Sequence, residues 1–217
     1  MQSALNFLTR IEANNNRDWF QAHKDEYEQS REEFIKLVGE VLAGTAAFEP
    51  HLAGLEAKNC VFRIYRDVRF SKDKRPYKTH FGAWLADVNK NLVVPGYYIH
   101  LQPGASFLAA GLWMPPADEL KKIRQEIDYN GAQLHQITQN ADFQQFFAGL
   151  STEESLKTTP KGYMADHPDI AWLRLKSFTV SCPASDKQAA AKSFASHCVA
   201  VFKAAQPFNH FLRTAIA

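Results

Sequence analysis

Three observations predict an α+β fold for this chain. Stretches of period-2 alternation lie together between about residues 60 and 113. Segments of period 3.6 flank them on both sides, and the connections between the alternating stretches are too short for helical crossovers. The expected architecture is a single domain over residues 1–217. Its central antiparallel sheet would be covered on the apolar face by N- and C-terminal helices, with an additional edge strand later in the chain.

Each element has its own signal. Leu5, Leu8 and Ile11 share a helical face, and Asn14–Asn16 end that first helix. Asn16 suits the N-cap of a longer helix with Asp18 in its first turn. In that helix Trp19, Phe20, His23, Tyr27, Phe34, Leu37, Val38, Val41 and Leu42 recur at helical spacing, and Gly44 is read as its end. Phe62, Ile64, Val68 and Phe70 then alternate with Arg63, Tyr65, Asp67 and Arg69, which predicts a strand with one buried face. Ser71–Lys78 reads as a loop, because Pro76 has no N–H to give a ladder.

THFGAWLADV, GYYIHLQ and SFLAAGLW predict three further strands. The turn signals between them are Asn89–Asn91, Pro95-Gly96 and Pro103-Gly104. Beyond Pro116 the pattern is helical again, through Leu120, Ile123, Ile127, Leu134 and Ile137 to Phe143, Phe146 and Phe147. Pro160-Lys161-Gly162 interrupts it, a helix follows near Asp169–Leu175, and LKSFTV adds the edge strand. Ser185 and Asp186 open an Ala-rich helix through about Ala205, and Pro207 opens a last one.

Bulk composition excludes several classes. Apolar residues make up 46% and charged residues 22% of the 217, the mix of a globular domain rather than a disordered or fibrous chain. Cys60, Cys182 and Cys198 are an odd count without C-x-x-C spacing. That speaks against a disulfide framework or thiolate zinc site and for a reducing compartment. The start of the chain lacks the pattern of a signal peptide, and no stretch approaches the roughly 20 apolar residues of a membrane span. The expectation is a cytoplasmic protein. Phosphate-loop, dinucleotide, nucleophile-elbow and H-E-x-x-H signatures are all absent.

Charge is concentrated. Between Phe62 and His80 seven basic residues face only Asp67 and Asp73, a local +5 in a chain whose net charge is +2. Guanidiniums on a firm backbone bind phosphate or carboxylate through two parallel bonds, and lysines add point charges. The candidate ligand-binding residues are therefore Arg63, Arg66, Arg69, Lys72, Lys74 and Lys78, with Tyr98 as a polar neighbour. Asp67, Tyr65, His80 and His100 are the candidates for acid–base chemistry, but no reaction is legible in them. His80 and His100 meet if their strands pair, and no metal site is assigned. A plainer reading pairs Asp67 with Arg63 and Arg69 and leaves the lysines solvated. At least two of Arg63, Arg66 and Arg69 should point into one shared pocket or groove, where they meet carboxylates or surround an anion.

NNNRDWFQAHKDEYE, FRIYRDVRFSKDKRPYKTHFGAW, YYIHLQPGASFLAAGLW, the PKGY turn followed by DHP, and LKSF together resemble the bacterial and fungal domain-of-unknown-function family 2461. The likeness covers nearly the whole chain. It implies one compact domain and brings no assigned reaction, cofactor or catalytic residue. Three functions compete: a small phosphorylated or carboxylated ligand, with or without turnover; a nucleic-acid module stacking bases on Tyr65, Tyr77, Phe81 or Trp84; and a surface for an acidic protein partner. The pI of 8.4 is low for a nucleic-acid domain.

Overall fold

A computed structural model describes residues 1–86 and 93–217. The turn signal Asn89–Asn91 lies outside the described residues, as does the end of the THFGAWLADV stretch. The sheet is antiparallel and has four strands in the order β1-β2-β3-β4: β1 Phe81–Leu85, β2 Gly96–Leu101, β3 Ser106–Leu112 and β4 Phe178–Ala184. With helices before and after it, the chain is α+β, and the expected late edge strand is β4. Contacts group the chain into two compact units.

The first unit comprises Met1–Leu85, Tyr98–Leu108 and Pro183–Ala200. Its helices are α1 Gln2–Ala13, α2 Arg17–Ala22, α3 Lys24–Ala46 and α4 Ala57–Cys60. The apolar stripe of α1, with Leu5, Leu8 and Ile11 buried, packs on α3, and α3 and α4 back β1. Phe81 on β1 meets Phe34 at 5.5 Å and Phe7 at 6.4 Å between ring centroids. Asn16 caps α2 as expected, accepting the Trp19 N–H at 2.9 Å.

Three expectations are corrected in this unit. The long helix breaks at His23, whose backbone leaves the helical region (φ −121°, ψ 26°) while its ring stacks on Trp19 at 4.1 Å. Gly44 does not end α3. A Cβ there would stand 2.6 Å from Val199 Cγ2, so the residue serves close packing. The third correction concerns Phe62–Phe70, which forms no regular strand. Among the described residues it is paired by the isolated bridge Tyr65–Tyr77, with Val61–Ala83 just before it, and by bonds such as Lys78 N–H to Ile64 O at 2.8 Å. Pro76 gives no N–H, and the side chains of Asp67 and Asp73 capture the N–H groups of Arg69 and Arg75, so local turns displace the ladder.

The second unit comprises Ala86–Tyr97, Ala109–Cys182 and Val201–Ala217. It holds α5 Ala117–Gln139, α6 Ala141–Gln144 and α7 Ile170–Leu173. Ile123, Ile127 and Leu134 of α5 are buried, and Asn130 interrupts its helical dihedrals. The expected Ala-rich helix is two: α8 Asp186–Ala190 in the first unit, then α9 Phe194–Ile216, whose second part lies here. Ala191 is extended (ψ 147°) and separates them. Pro207 sits inside α9 rather than opening a helix. The lost N–H is tolerated because Phe202, Phe208, Phe211 and Leu212 bury the same helix firmly. Asn209, fully buried, ties α9 to β2 by donating from Nδ2 to Gly96 O at 3.0 Å.

Candidate functional site

The basic segment folds around a motif used twice. In Asp67-Val68-Arg69 and in Asp73-Lys74-Arg75 the aspartate accepts the N–H of the residue two on and then grips that arginine's guanidinium. Arg69 Nη2 reaches Asp67 Oδ2 at 2.6 Å and Arg75 Nη2 reaches Asp73 Oδ2 at 2.8 Å. Asp67 and Asp73 are consequently held below the usual carboxylate range, Asp73 far below it, first by Arg75 and then by Arg66. Asp67 is an exposed ion-pair partner of Arg69, so it is not available as an acid–base group at neutral pH.

Arg66 differs from its neighbours. Its Nη1 donates to Arg75 O at 2.9 Å and meets Asp73 Oδ2 at 2.8 Å, which closes the loop over its own base. Nη2 and Nε keep no partner among the described residues. Arg66 lines a cleft of about 200 Å³ together with Asp73, Arg75, Tyr77, Lys78, Thr79 and His80. Of Arg63, Arg66 and Arg69, Arg66 alone lines this cleft. Arg63 and Arg69 are exposed and lie outside it, so the expected sharing of a groove by two of them is not met there. Lys72 and Lys74 are exposed as well, with Lys74 Nζ donating to Val68 O at 3.1 Å.

Lys78 is half-buried and no carboxylate pairs with it among the described residues. Its ammonium stands 5.3 Å from the centroid of the Phe62 ring. Burial, and then the charge of Arg63, push its pKa down. Lys78 and the part of the Arg66 guanidinium that Asp73 does not engage thus act on one small volume. The floor beneath them is fixed by Asn15, whose Oδ1 accepts the Tyr77 N–H at 3.0 Å and whose Nδ2 donates to Tyr77 O at 2.9 Å. One side chain takes the place of a neighbouring strand. Sequence reasoning missed this role, because the Asn14–Asn16 run reads first as a helix break.

At one side of the cleft His80 packs against His100 with ring centroids 4.3 Å apart, so the pairing expected of their strands does bring them together. The period of β2 explains the rest. Tyr97, Ile99 and Leu101 are buried, while Tyr98 and His100 turn to the other face, joined by Gln102 just past the strand end. The Tyr98 hydroxyl donates to His100 Nδ1 and His100 Nε2 donates to Gln102 Oε1, both at 3.0 Å. The arrangement suits a neutral imidazole with its proton on Nε2. Burial holds Tyr98 up to about 12 and lowers His100. Burial, His100 and Lys78 together lower His80 to about 4. Tyr65, the remaining acid–base candidate, is half-exposed and turns instead toward Phe20 and Tyr77. Among the described residues no three of His, Cys, Asp and Glu converge as metal ligands.

A family model described as a conserved hypothetical protein, DUF2461, matches residues 3–211. The chain belongs to this family. No curated protein and no solved structure matches it. Two of the stretches that carried the DUF2461 likeness, those holding Asn15 and Arg66–His80, build the cleft.

This DUF2461 chain also holds a histidine–carboxylate network in its second unit that sequence reasoning missed. Asp169 is buried and its Oδ1 accepts a hydrogen bond from His135 Nε2 at 2.6 Å. Its backbone N–H donates to His167 Nδ1, and His167 Nε2 donates to Asp128 Oδ1 at 2.9 Å. Only Asp-His-Pro was visible as a signal, since His135 lies a helix away. Gly131 clears the space, for a Cβ there would stand 2.3 Å from Asp169 Oδ2. Gly131→Ala is expected to destabilise the protein by about 1–3 kcal/mol, read as a lower urea midpoint.

The depressed His80 pKa has a consequence for stability. Unfolded, the ring titrates near 6.5; folded, near 4, so the unfolded chain binds more protons between those values. The stabilisation is complete above about pH 6.5 and is lost as pH falls toward 4. For a part-exposed ring the loss is on the order of 1 to 2 kcal/mol after solvent screening. Urea midpoints at pH 7 and pH 4.5 should therefore converge in His80→Gln relative to the parent. A parent-sized drop in the variant would contradict the assignment.

Proposed function

We propose that this is a cytoplasmic protein that binds a small phosphorylated or carboxylated ligand in the cleft of Arg66, Lys78, Thr79 and His80. The observation that carries the reading is Lys78: half-buried, lining the cleft, with the charge of Arg63 acting on it and no carboxylate partner among the described residues. A recessed ammonium without a counter-charge is costly, and an anion is what relieves it. The free Nη2 and Nε of Arg66 and the Thr79 hydroxyl add donors, and the neutral His80 adds a group whose proton affinity an anion would raise. Among the described residues no helix is long and apolar enough to cross a membrane.

Calorimetric titration with orthophosphate, pyrophosphate and small dicarboxylates tests the reading. Binding should tighten as pH falls, because a bound anion favours the protonated His80. Its salt dependence should be shallow. A strand tracked by about six cations would instead lose roughly a thousandfold in affinity between about 50 and 200 mM salt. Absence of binding by every one of these anions would overturn the proposal.

A further inference from the structure

We infer that the anion taken by this cleft is carried on a flat aromatic ring, as in a nucleotide, and that Phe62 is where the ring stacks. The inference rests on the anion reading and narrows its ligand class. Phe62 is 47% exposed and stands at the end of a run of aromatic rings. Tyr98 lies 6.3 Å from it, Phe107 lies 5.7 Å from Tyr98, and His100 stacks on Phe107 at 4.6 Å and 16°. Tyr98, His100 and Phe107 are themselves only half-buried, and Tyr97 and Ile99 of β2 supply the core on the opposite face.

Gly82 keeps the platform level. A Cβ there would stand 2.7 Å from the Tyr98 hydroxyl and 3.3 Å from Phe62 Cδ2. The link to the cleft is Lys78, which lines it and holds its ammonium 5.3 Å from the Phe62 centroid. An anion on Lys78 is therefore within a sugar's length of the ring. Half-exposed aromatics beside cations serve ligands that have both a π-face and a negative charge. A bare phosphate would use the cations and leave Phe62 idle.

The test compares AMP, ribose 5-phosphate and adenosine by calorimetry on the full chain. AMP should bind about tenfold or more tightly than ribose 5-phosphate, and adenosine only weakly. Phe62→Ala should erase the advantage of AMP over ribose 5-phosphate, and a melt of the variant excludes misfolding. Gly82→Ala, which lifts Tyr98 and Phe62 without deleting either, should weaken AMP selectively. Equal affinity for AMP and ribose 5-phosphate, unaltered in Phe62→Ala, would overturn the inference and leave the anion reading intact. Failure of both phosphates and of pyrophosphate would overturn the two together. A single-stranded trinucleotide separates the sources of such a ligand: tighter binding with a steep salt slope points to a strand, equal or weaker binding to a free nucleotide.

Discussion

Gly111→Ala is expected to cost about 4 kcal/mol or more, a large part of the 5–15 kcal/mol that holds a typical domain together. Gly111 has φ +122°, a region essentially closed to residues with a Cβ. Its ideal Cβ would lie 2.0 Å from Phe178 O and 2.9 Å from Thr179 Cα. Both are backbone atoms of β4, the strand paired with β3, so no side-chain rotation relieves the overlap. Either the ladder parts or the strand shifts, and Phe178 and Val180 are fully buried in the same stretch. The measurement is a urea titration against the parent. A change below about 1 kcal/mol would mean that the two strands do not approach in this way.

Arg66→Ala is expected to weaken anion binding about 10- to 100-fold, the range for losing hydrogen bonds to a charged group. Because Arg66 also closes its loop through Arg75 O and Asp73, Arg66→Lys provides the sharper comparison. It preserves the charge and removes the planar fork, so affinity should fall markedly while the salt dependence stays nearly the same. Lys72→Ala removes an exposed cation that does not line the cleft and should change affinity less than about twofold. Equal losses in Lys72→Ala and Arg66→Ala would point to a diffuse field in place of a cleft.

The strands from Phe81 onward were legible because one face of each is buried, so Tyr97, Ile99 and Leu101 alternate cleanly with Tyr98 and His100. The Asn16 cap was legible because capping is local. Phe62–Phe70 misled for a physical reason: its alternation is real, but Asp67 and Asp73 use their side chains to take backbone N–H groups that a ladder needs. The same capture explains the charge pattern. The acids at i and the arginines at i+2 neutralise one another, and the surplus that remains effective in the cleft is Lys78 with part of Arg66. Asn15 on Tyr77 and His135 on Asp169 join residues 62 and 34 positions apart, which no spacing rule reaches. Pro207 broke a rule that tertiary burial overrides.

The most direct measurement is an NMR titration of the His80 imidazole with and without pyrophosphate, at matched ionic strength in chloride. Free of anion, His80 should titrate near 4, because burial, His100 and the Lys78 charge all oppose its protonation. With pyrophosphate in the cleft the Lys78 field is offset, and the midpoint should rise toward its ordinary value of 6.5. An identical His80 titration in pyrophosphate and in chloride would contradict the account.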